Sequence, residues 1–434
     1  MNPLGVLCVV ACVAAVALAS PTQQISNLKP SEWLQPSELE QTPSLNEITF
    51  EKLENMPLGK GAKLMRKFYH LSQIDRSITP DFVPSPSNIP VYIFNHKGQK
   101  KVATLSNYVE EAKKIEDFGD EEVTIFITGL PESLETVKKV NTQMIKSYIQ
   151  SMSQKSETME KNQKYQKYAN VEEDNDDNDD DDDDDDQSNN WDNEKSSGAY
   201  LIVIDLGNTI TDMERYATLD VFSCGKMIAT TLIKLTNECD VPLDVIHVIG
   251  QGLGGNVAGA TGKVFYAITD HKLRRITALD PASQMAKHPN MLTALARGSA
   301  DFVDAIHTSA LGMGTTRRVG DVDFFPNGPC DGVNGSKNVI DAHMRATSFF
   351  AESVRPANHR NFPAIESISL KQYKSNDGYG KRTYMGIAAA RDLSGDYILE
   401  VNDHSPFGQR TPAHKQNTYH GVHKTSYLQN DESY

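Results

Sequence analysis

The sequence has few cysteines, no basic stripe and no apolar run long enough to cross a bilayer. Five cysteines in 434 residues are too few for a fold that is held together by disulfides. No stretch reaches eighteen consecutive apolar residues, so no membrane span is expected. Nucleic acid is also not expected as a partner, because a phosphate backbone calls for clustered Lys and Arg.

What the sequence does have is one concentrated acidic segment. The formal net charge is -15, and residues 172–186 (EEDNDDNDDDDDDDD) hold thirteen acids and no base. The remainder therefore carries only about -2. We interpret residues 153–198 as a disordered, solvated insertion. Its acidic run is better explained as a spacer that aids solubility than as a calcium loop, which needs a glycine turn and a terminal glutamate.

Residues 1–19 have the features of a cleaved secretory signal. The apolar run VLCVVACVAAVAL at residues 6–18 ends in Ala17-Leu18-Ala19, the small-x-small pattern of a signal peptidase site. Cleavage would remove Cys8 and Cys12 and leave three cysteines, an odd number. We therefore predict a secreted protein whose fold is held by its core.

Apolar strands alternate with helices along the rest of the chain. Residues 20–88 predict an N-terminal helical arm, with an amphipathic stretch at 48–71. Strands are predicted at 91–94, 123–128, 200–205, 245–249, 273–279 and 302–307, and helices at 132–152, 214–238, 256–269 and 339–353. This alternation predicts an α/β fold with a mainly parallel sheet over residues 89–410, followed by a polar tail at 411–434. Functional residues are expected in loops after the carboxyl ends of the strands.

One glycine motif has two interpretations. Gly250-Gln251-Gly252-Leu253-Gly254-Gly255 follows a predicted strand and opens a helix. A dinucleotide-binding loop is disfavoured, because the acid required at the end of the next strand is misplaced: Asp270 precedes that strand and Asp280 lies too far on. The alternative is the nucleophile elbow G-x-S-x-G, with Gly252 at the position of the serine.

The second interpretation gains from a resemblance to known proteins. VIHVIGQGLGGNVAGATG resembles the nucleophile segment of the pancreatic-type lipases, and the likeness continues through RRITALDPAS, FVDAIHTSA and GDVDFFPNGP. Closer still are the dipteran yolk proteins, secreted lipase-like storage proteins that lack the serine; they share the ITGLP, FFAESVRP, GDYILEVN and YHGVH stretches. The resemblance covers nearly the whole mature chain and implies an α/β-hydrolase fold.

The resemblance also implies a degenerate catalytic site. It places the nucleophile at Gly252, the acid at Asp280, the histidine at His343 and the oxyanion donors at the backbone N–H groups of Leu130 and Leu253. A glycine has no side-chain oxygen, so no acyl-enzyme can form and we predict that the protein is not an enzyme. In addition, Thr128 and Leu206 replace a histidine and a tryptophan of the lipases, and the lid between Cys330 and Asp341 shrinks to about ten residues, which predicts an accessible cleft.

Each of these residues also has a structural interpretation. Gly252 suits a turn with positive φ, which strains other residues by roughly 1–3 kcal/mol. Asp280 is better explained as a strand-end cap or a turn residue, His343 as a surface or helix-start histidine, and His307 as a hydrogen-bonded core histidine. No cluster with ligand spacing predicts a metal, and no cofactor is implied.

By resemblance, we expect a protein that circulates in haemolymph, enters oocytes through an endocytic receptor and is stored in yolk granules. The resemblance further implies carriage of ecdysteroid conjugates or lipids, and self-association or co-assembly with related yolk proteins. Sulfation is expected at Tyr165 and Tyr168, and glycosylation at Asn334 in the Asn-Gly-Ser sequon. The alternatives are a secreted lipase or phospholipase A1 acting on ester lipids, and an interaction module whose acidic insertion is the active part.

Overall fold

The computed structural model describes residues 45–74, 78–116, 118–119, 121–171, 199–286, 294–375 and 380–409. The predicted signal at 1–19, the acidic run at 172–186 and the tail at 411–434 lie outside these ranges. The chain divides into two compact units, Met1–Glu47 and Ile48–Tyr434. Of the first unit, the structure describes only a 3-10 helix at Leu45–Glu47.

The second unit is built on one eleven-stranded sheet. Its strands are β1 (Pro90–Phe94), β2 (Lys100–Thr104), β3 (Val123–Ile127), β4 (Tyr200–Ile204), β5 (Ile246–Gln251), β6 (Arg275–Leu279), β7 (Phe302–Ile306), β8 (Val322–Pro326), β9 (Pro363–Glu366), β10 (Arg382–Tyr384) and β11 (Gly395–Leu399). Their spatial order is β10-β9-β11-β8-β7-β6-β5-β3-β4-β1-β2. The seven strands from β11 to β4 run parallel to one another, which confirms the predicted α/β fold.

Nine helices are described in this unit. They are α1 (Phe50–Glu54), α2 (Leu58–Ile74), α3 (Tyr108–Ala112), α4 (Glu135–Val171), α5 (Met213–Thr218), α6 (Val221–Glu238), α7 (Leu253–Thr269), α8 (Val339–Val354) and α9 (Leu370–Ser375). The first two fall within the predicted arm. The helix predicted at 214–238 is split, because Asp220 caps a new helix by accepting from the N–H groups of Phe222 and Ser223.

Helix α4 extends further than its apolar periodicity indicated. The predicted helix face is present, with Val137, Met144 and Tyr148 buried. The helix continues through the polar stretch to Val171, so residues 153–171 are helical where we predicted the start of a disordered insertion. Ser156 is still buried, so packing supports at least one further turn beyond Met152.

The sheet is covered on both faces. Phe126, Val203 and Ile249 belong to the core cluster that also contains Met144 of α4 and Phe350 of α8. Side chains alternate between the two faces of a strand, so their buried neighbours in sequence point to the opposite face. Helices α6 and α7 pack on each other, and α7 also packs on β5 and β6. The sequence analysis missed β2 and β9–β11, which are short or partly exposed strands near the two edges, and it also missed the fully buried strand β8.

Candidate functional site

A tight turn joins β5 to α7 at Gly252. Its backbone has φ 56° and ψ -118°, which confirms the predicted positive φ. The Gly252 N–H donates to the carbonyl of Leu279 (2.9 Å), and the Gly252 carbonyl accepts from Gly255 (3.0 Å) and Ala282 (3.2 Å). These bonds tie the turn to the carboxyl end of β6.

Close backbone approach also explains the glycine at position 254. A Cβ on Gly254 would collide with the carbonyl oxygen of Ile127 at the end of β3. The helix therefore begins directly against the central strands. The G-x-G-x-G spacing serves a strand-to-helix turn, as predicted for the elbow.

Asp280 and His343 form a buried pair beside this turn. His343 Nδ1 lies 2.6 Å from Asp280 Oδ2, and both side chains are fully buried. The interpretation of His343 as a surface or helix-start residue was wrong. It lies in the second turn of α8, a helix in which every residue except Asp341 is buried, because α8 packs against α4 and the sheet.

Asp280 has a structural role, but not the one predicted. Its Oδ1 accepts from the backbone N–H groups of Thr308 (2.7 Å) and Ser309 (2.9 Å), and its Oδ2 accepts a short bond from the Ser309 hydroxyl. The carboxylate therefore holds the loop after β7 rather than its own turn at Pro281. The same group also orients the His343 ring, so structural and site roles coincide.

The remaining nitrogen of His343 points at the glycine. Within the described part of the chain, Nε2 is buried and has no hydrogen-bond partner. A Cβ built on Gly252 would meet this nitrogen well inside 3.0 Å, closer than real Cβ atoms come to a neighbour. The imidazole thus takes up space that any side chain at position 252 would need.

The two predicted oxyanion donors lie in the loop after β3 and at the start of α7. Leu253 is the first residue of α7, where a backbone N–H has no acceptor within the helix. Leu130 lies in the loop after β3 and is fully buried. Gly252, Leu253, Leu130 and His343 are all buried, so these four residues are not exposed to solvent as an open cleft would require.

Gln251 is a site residue that the sequence reasoning missed. Its side-chain oxygen lies 3.4 Å from the Gly129 N–H, and its Nε2 donates to Asn141 (3.0 Å) and Thr347 (3.1 Å). It thereby connects the elbow to the β3 loop, α4 and α8. A polar residue at the end of a continuously buried strand is the signal that could have identified it.

Of the two substituted lipase positions, Thr128 contributes to a second polar link. Thr128 donates to Asp205 Oδ1 (3.0 Å) and accepts from the Gly207 N–H (2.9 Å), while Leu206 is fully buried. Burial raises the pKa of Asp205 to about 6, and the negative charge of Glu132 adds to the rise. This link fastens the loops after β3 and β4 to each other.

His307 is a core histidine, as predicted. Its Nδ1 lies 3.0 Å from the Thr315 carbonyl and its Nε2 lies 2.8 Å from Asp323 Oδ1. The ring stacks on Phe325 at 4.6 Å between centroids. These contacts satisfy both ring nitrogens and leave His307 no part in the site around Gly252.

Other predicted features are placed only in part. Asn334 is exposed on the loop between β8 and α8. Tyr165 and Tyr168 fall within α4, but their side chains lie outside the described residues.

Cys224, Cys239 and Cys330 are free thiols, in line with a fold without disulfides. Among the described residues, no group of three or more His, Cys, Asp or Glu is arranged to hold a metal ion, and no helix is long and apolar enough to cross a membrane.

Comparison with known proteins gives one family and several relatives. The sequence profile of the lipase family matches residues 120–407. Vitellogenin-3 of Drosophila melanogaster is 52% identical over 423 residues, covering 98% of this chain and 99% of its own. Vitellogenin-1 of Ceratitis capitata is 47% identical and covers 98% of each chain. The inactive pancreatic lipase-related protein 1 of Homo sapiens is 32% identical over 176 residues, 35% of this chain and 36% of its own.

Proposed function

Since the chain belongs to the lipase family, within its dipteran yolk-protein (vitellogenin) group, we propose that it is a storage protein of yolk without hydrolytic activity. The observation that carries this proposal is Gly252 at the strand-to-helix turn, beside the buried Asp280–His343 pair. A lipase-like mechanism needs a side-chain nucleophile at that turn.

The geometry around Gly252 supports inactivity. A serine hydrolase uses its histidine to take a proton from the nucleophile. Here Nε2 of His343 faces a backbone without a side chain, so the base has nothing to activate. The neighbours cannot substitute: Gln251 is bonded to Asn141 and Thr347, and Leu253 has no nucleophilic atom.

An esterase assay tests this part of the proposal. We expect no turnover of a short-chain p-nitrophenyl ester by the wild-type protein above the buffer rate. The matched control is His343→Ala, which should give the same background. Wild-type turnover that disappears in His343→Ala would refute inactivity and would favour the alternative, a secreted lipase or phospholipase A1.

Activity in Gly252→Ser is a separate question. The Asp280–His343 pair favours the alternative function, an active hydrolase. Its geometry is that of the acid and the base in a catalytic triad. Serine at position 252 would collide with His343 unless the ring moves. We therefore expect Gly252→Ser to remain inactive, and turnover in this variant would mean that the ring can withdraw.

The proposed route of the protein is secretion, circulation in haemolymph and receptor-mediated uptake into yolk granules. Residues 1–19 would direct secretion, and residues 20–434 would be the circulating form. Fluorescently labelled mature protein should enter vitellogenic oocytes in competition with unlabelled protein. Deletion of residues 170–187 separates this proposal from an interaction module built on the acidic insertion: uptake should persist in the deletion variant.

Ligands and modifications complete the proposal. Ecdysteroid conjugates or lipids are the proposed cargo, and self-association or co-assembly with related yolk proteins is the proposed state. Sulfation at Tyr165 or Tyr168 would add about 80 Da per group to the secreted protein. Glycosylation is proposed at Asn334, whose exposure supports access by the transferase. Intact mass before and after sulfatase or glycosidase treatment tests both modifications.

A further inference from the structure

Helices α1 and α2 pack across loops at the carboxyl end of the sheet. The Leu58 N–H donates to the Lys337 carbonyl (3.1 Å), and the Asn338 side chain donates to the Glu54 carbonyl (2.6 Å). Arg66 donates to the Leu311 carbonyl (3.1 Å) and forms a short ion pair with Asp331. These partner residues lie in the loops after β7 and β8. The loop after β7 donates hydrogen bonds to Asp280, and the loop after β8 leads into α8, which carries His343.

A further bond reaches the opposite side of the same edge. The Thr136 N–H at the start of α4 donates to Glu54 Oε1 (3.1 Å). Residues Glu54 to Arg66 therefore contact the loops after β3, β7 and β8. Because the carboxyl ends of parallel strands lie at one edge of a sheet, these loops surround the turn at Gly252.

Apolar contacts fill the space beneath the two helices. Phe50, Leu53 and Met65 are almost completely buried. The Phe50 ring meets Tyr216 edge-on, with 5.9 Å between centroids. Tyr216 is itself close enough to the site that the charge of Asp280 adds to the rise in its pKa, which burial causes in the main. Phe50 thus packs against a residue within the electrostatic range of Asp280.

Small residues let α2 lie directly on the loop between β8 and α8. A Cβ on Gly332 would lie 3.1 Å from the Leu58 methyl carbons, and a Cβ on Gly61 would lie 3.7 Å from the Val339 Cβ. Val339 begins α8, the helix that carries His343. The contact is therefore continuous from α2 through this loop to the site.

We propose that residues 48–74 are an intramolecular lid that closes the edge of the sheet over Gly252 and His343, and that the site becomes accessible only when this segment lifts. The two helices add no strand to the sheet, and one of their polar links, Arg66–Asp331, is a half-exposed ion pair, which contributes little to stability. A segment that shares no strand pairing with the sheet can open without breaking the hydrogen bonds of the sheet.

A disulfide between α2 and α8 tests the lid. In Gly61→Cys with Val339→Cys, the Cβ separation of 3.7 Å falls within the range of about 3.5–4.5 Å found for disulfides. Hydrogen exchange of the full chain is measured in the oxidised and reduced forms, with disulfide formation checked by peptide mass. We expect exchange at residues 253–257 and 308–314 to be at least about tenfold slower when oxidised. Equal exchange in the two forms would overturn the proposal.

Loosening variants provide the converse test. Phe50→Ala and Arg66→Ala should speed exchange both in residues 50–74 and in the site peptides 253–257 and 308–314. Lys60→Ala, on the exposed side of α2, is the matched control and should leave both unchanged. Unchanged exchange in β3 and β4 shows that the fold is intact. Faster exchange confined to residues 50–74 would mean that the segment does not close the site.

Discussion

Gly252→Ala should destabilise the protein, although it adds a single methyl group. At φ 56° and ψ -118°, a residue with a Cβ is strained by about 1–3 kcal/mol. The new methyl would also overlap the buried His343 ring, and overpacking of this kind costs about 1–3 kcal/mol. Alanine restricts the unfolded chain, which offsets about 0.4–1 kcal/mol. The expected loss in unfolding free energy is therefore about 1–6 kcal/mol.

Urea unfolding followed by circular dichroism measures this loss. The matched control is Gly59→Ala in α2, where an added Cβ meets nothing within 4 Å and no positive φ is present. There, alanine should stabilise the protein by about 0.5–1 kcal/mol, because it is the better helix former. Opposite signs for the two substitutions would separate the effect of the turn from the general effect of glycine replacement.

A double-mutant cycle with His343→Ala isolates the steric part. Both proteins that carry His343→Ala lose the hydrogen bond to Asp280, so this loss cancels when they are compared with each other. With the ring removed, Gly252→Ala should cost about 1–3 kcal/mol less than in the wild type, leaving the strain of the positive φ. A cost that is the same in both backgrounds would refute the reasoning that His343 occupies the space beside Gly252.

Two further substitutions test buried charges. The pKa of Asp205 is raised from 3.8 to about 6, so the folded state favours the protonated carboxyl. The stability that this group contributes is therefore present below about pH 4 and is lost as the pH rises through 6. Asp205→Asn should remove up to about 3 kcal/mol of this pH dependence, and parallel unfolding profiles at pH 4–8 would contradict it. Arg275→Met should destabilise by about 3–5 kcal/mol, because it leaves Asp304, held at 2.8 and 2.9 Å, as an unpaired buried carboxylate. Arg318→Met, which removes a half-exposed pair with Asp396, should cost less than about 1 kcal/mol in the same assay.

Features that depend on local sequence could be predicted. Continuous apolar runs such as VTIFIT and YLIVID gave the buried strands β3 and β4 to within a residue, because strands covered on both faces need apolar side chains throughout. The glycine spacing gave the turn at Gly252, because its backbone requirement is local.

Features that depend on packing between distant segments could not be predicted. Nothing in the local sequence DAHMRA shows that α8 is buried on nearly all sides, so His343 was assigned to the surface. The amphipathic stretch at 48–71 indicates helix but not what the apolar face covers, which is set by loops about 270 residues away. The extra turns of α4 lack apolar periodicity and have no local signal.

The hydrogen bonds of Asp280 give its carboxylate a structural role that does not depend on a nucleophile at the turn. It accepts from Thr308, Ser309 and His343, and so joins the ends of β6 and β7 to α8. Removing it would leave buried donors unpaired, at about 1–3 kcal/mol for each. A serine at position 252 would have no comparable structural role, because the backbone of Gly252 already makes the bonds that fix the turn. In this fold, the acid and the histidine can therefore be retained for the stability that their hydrogen bonds contribute, whether or not a nucleophile stands at the turn.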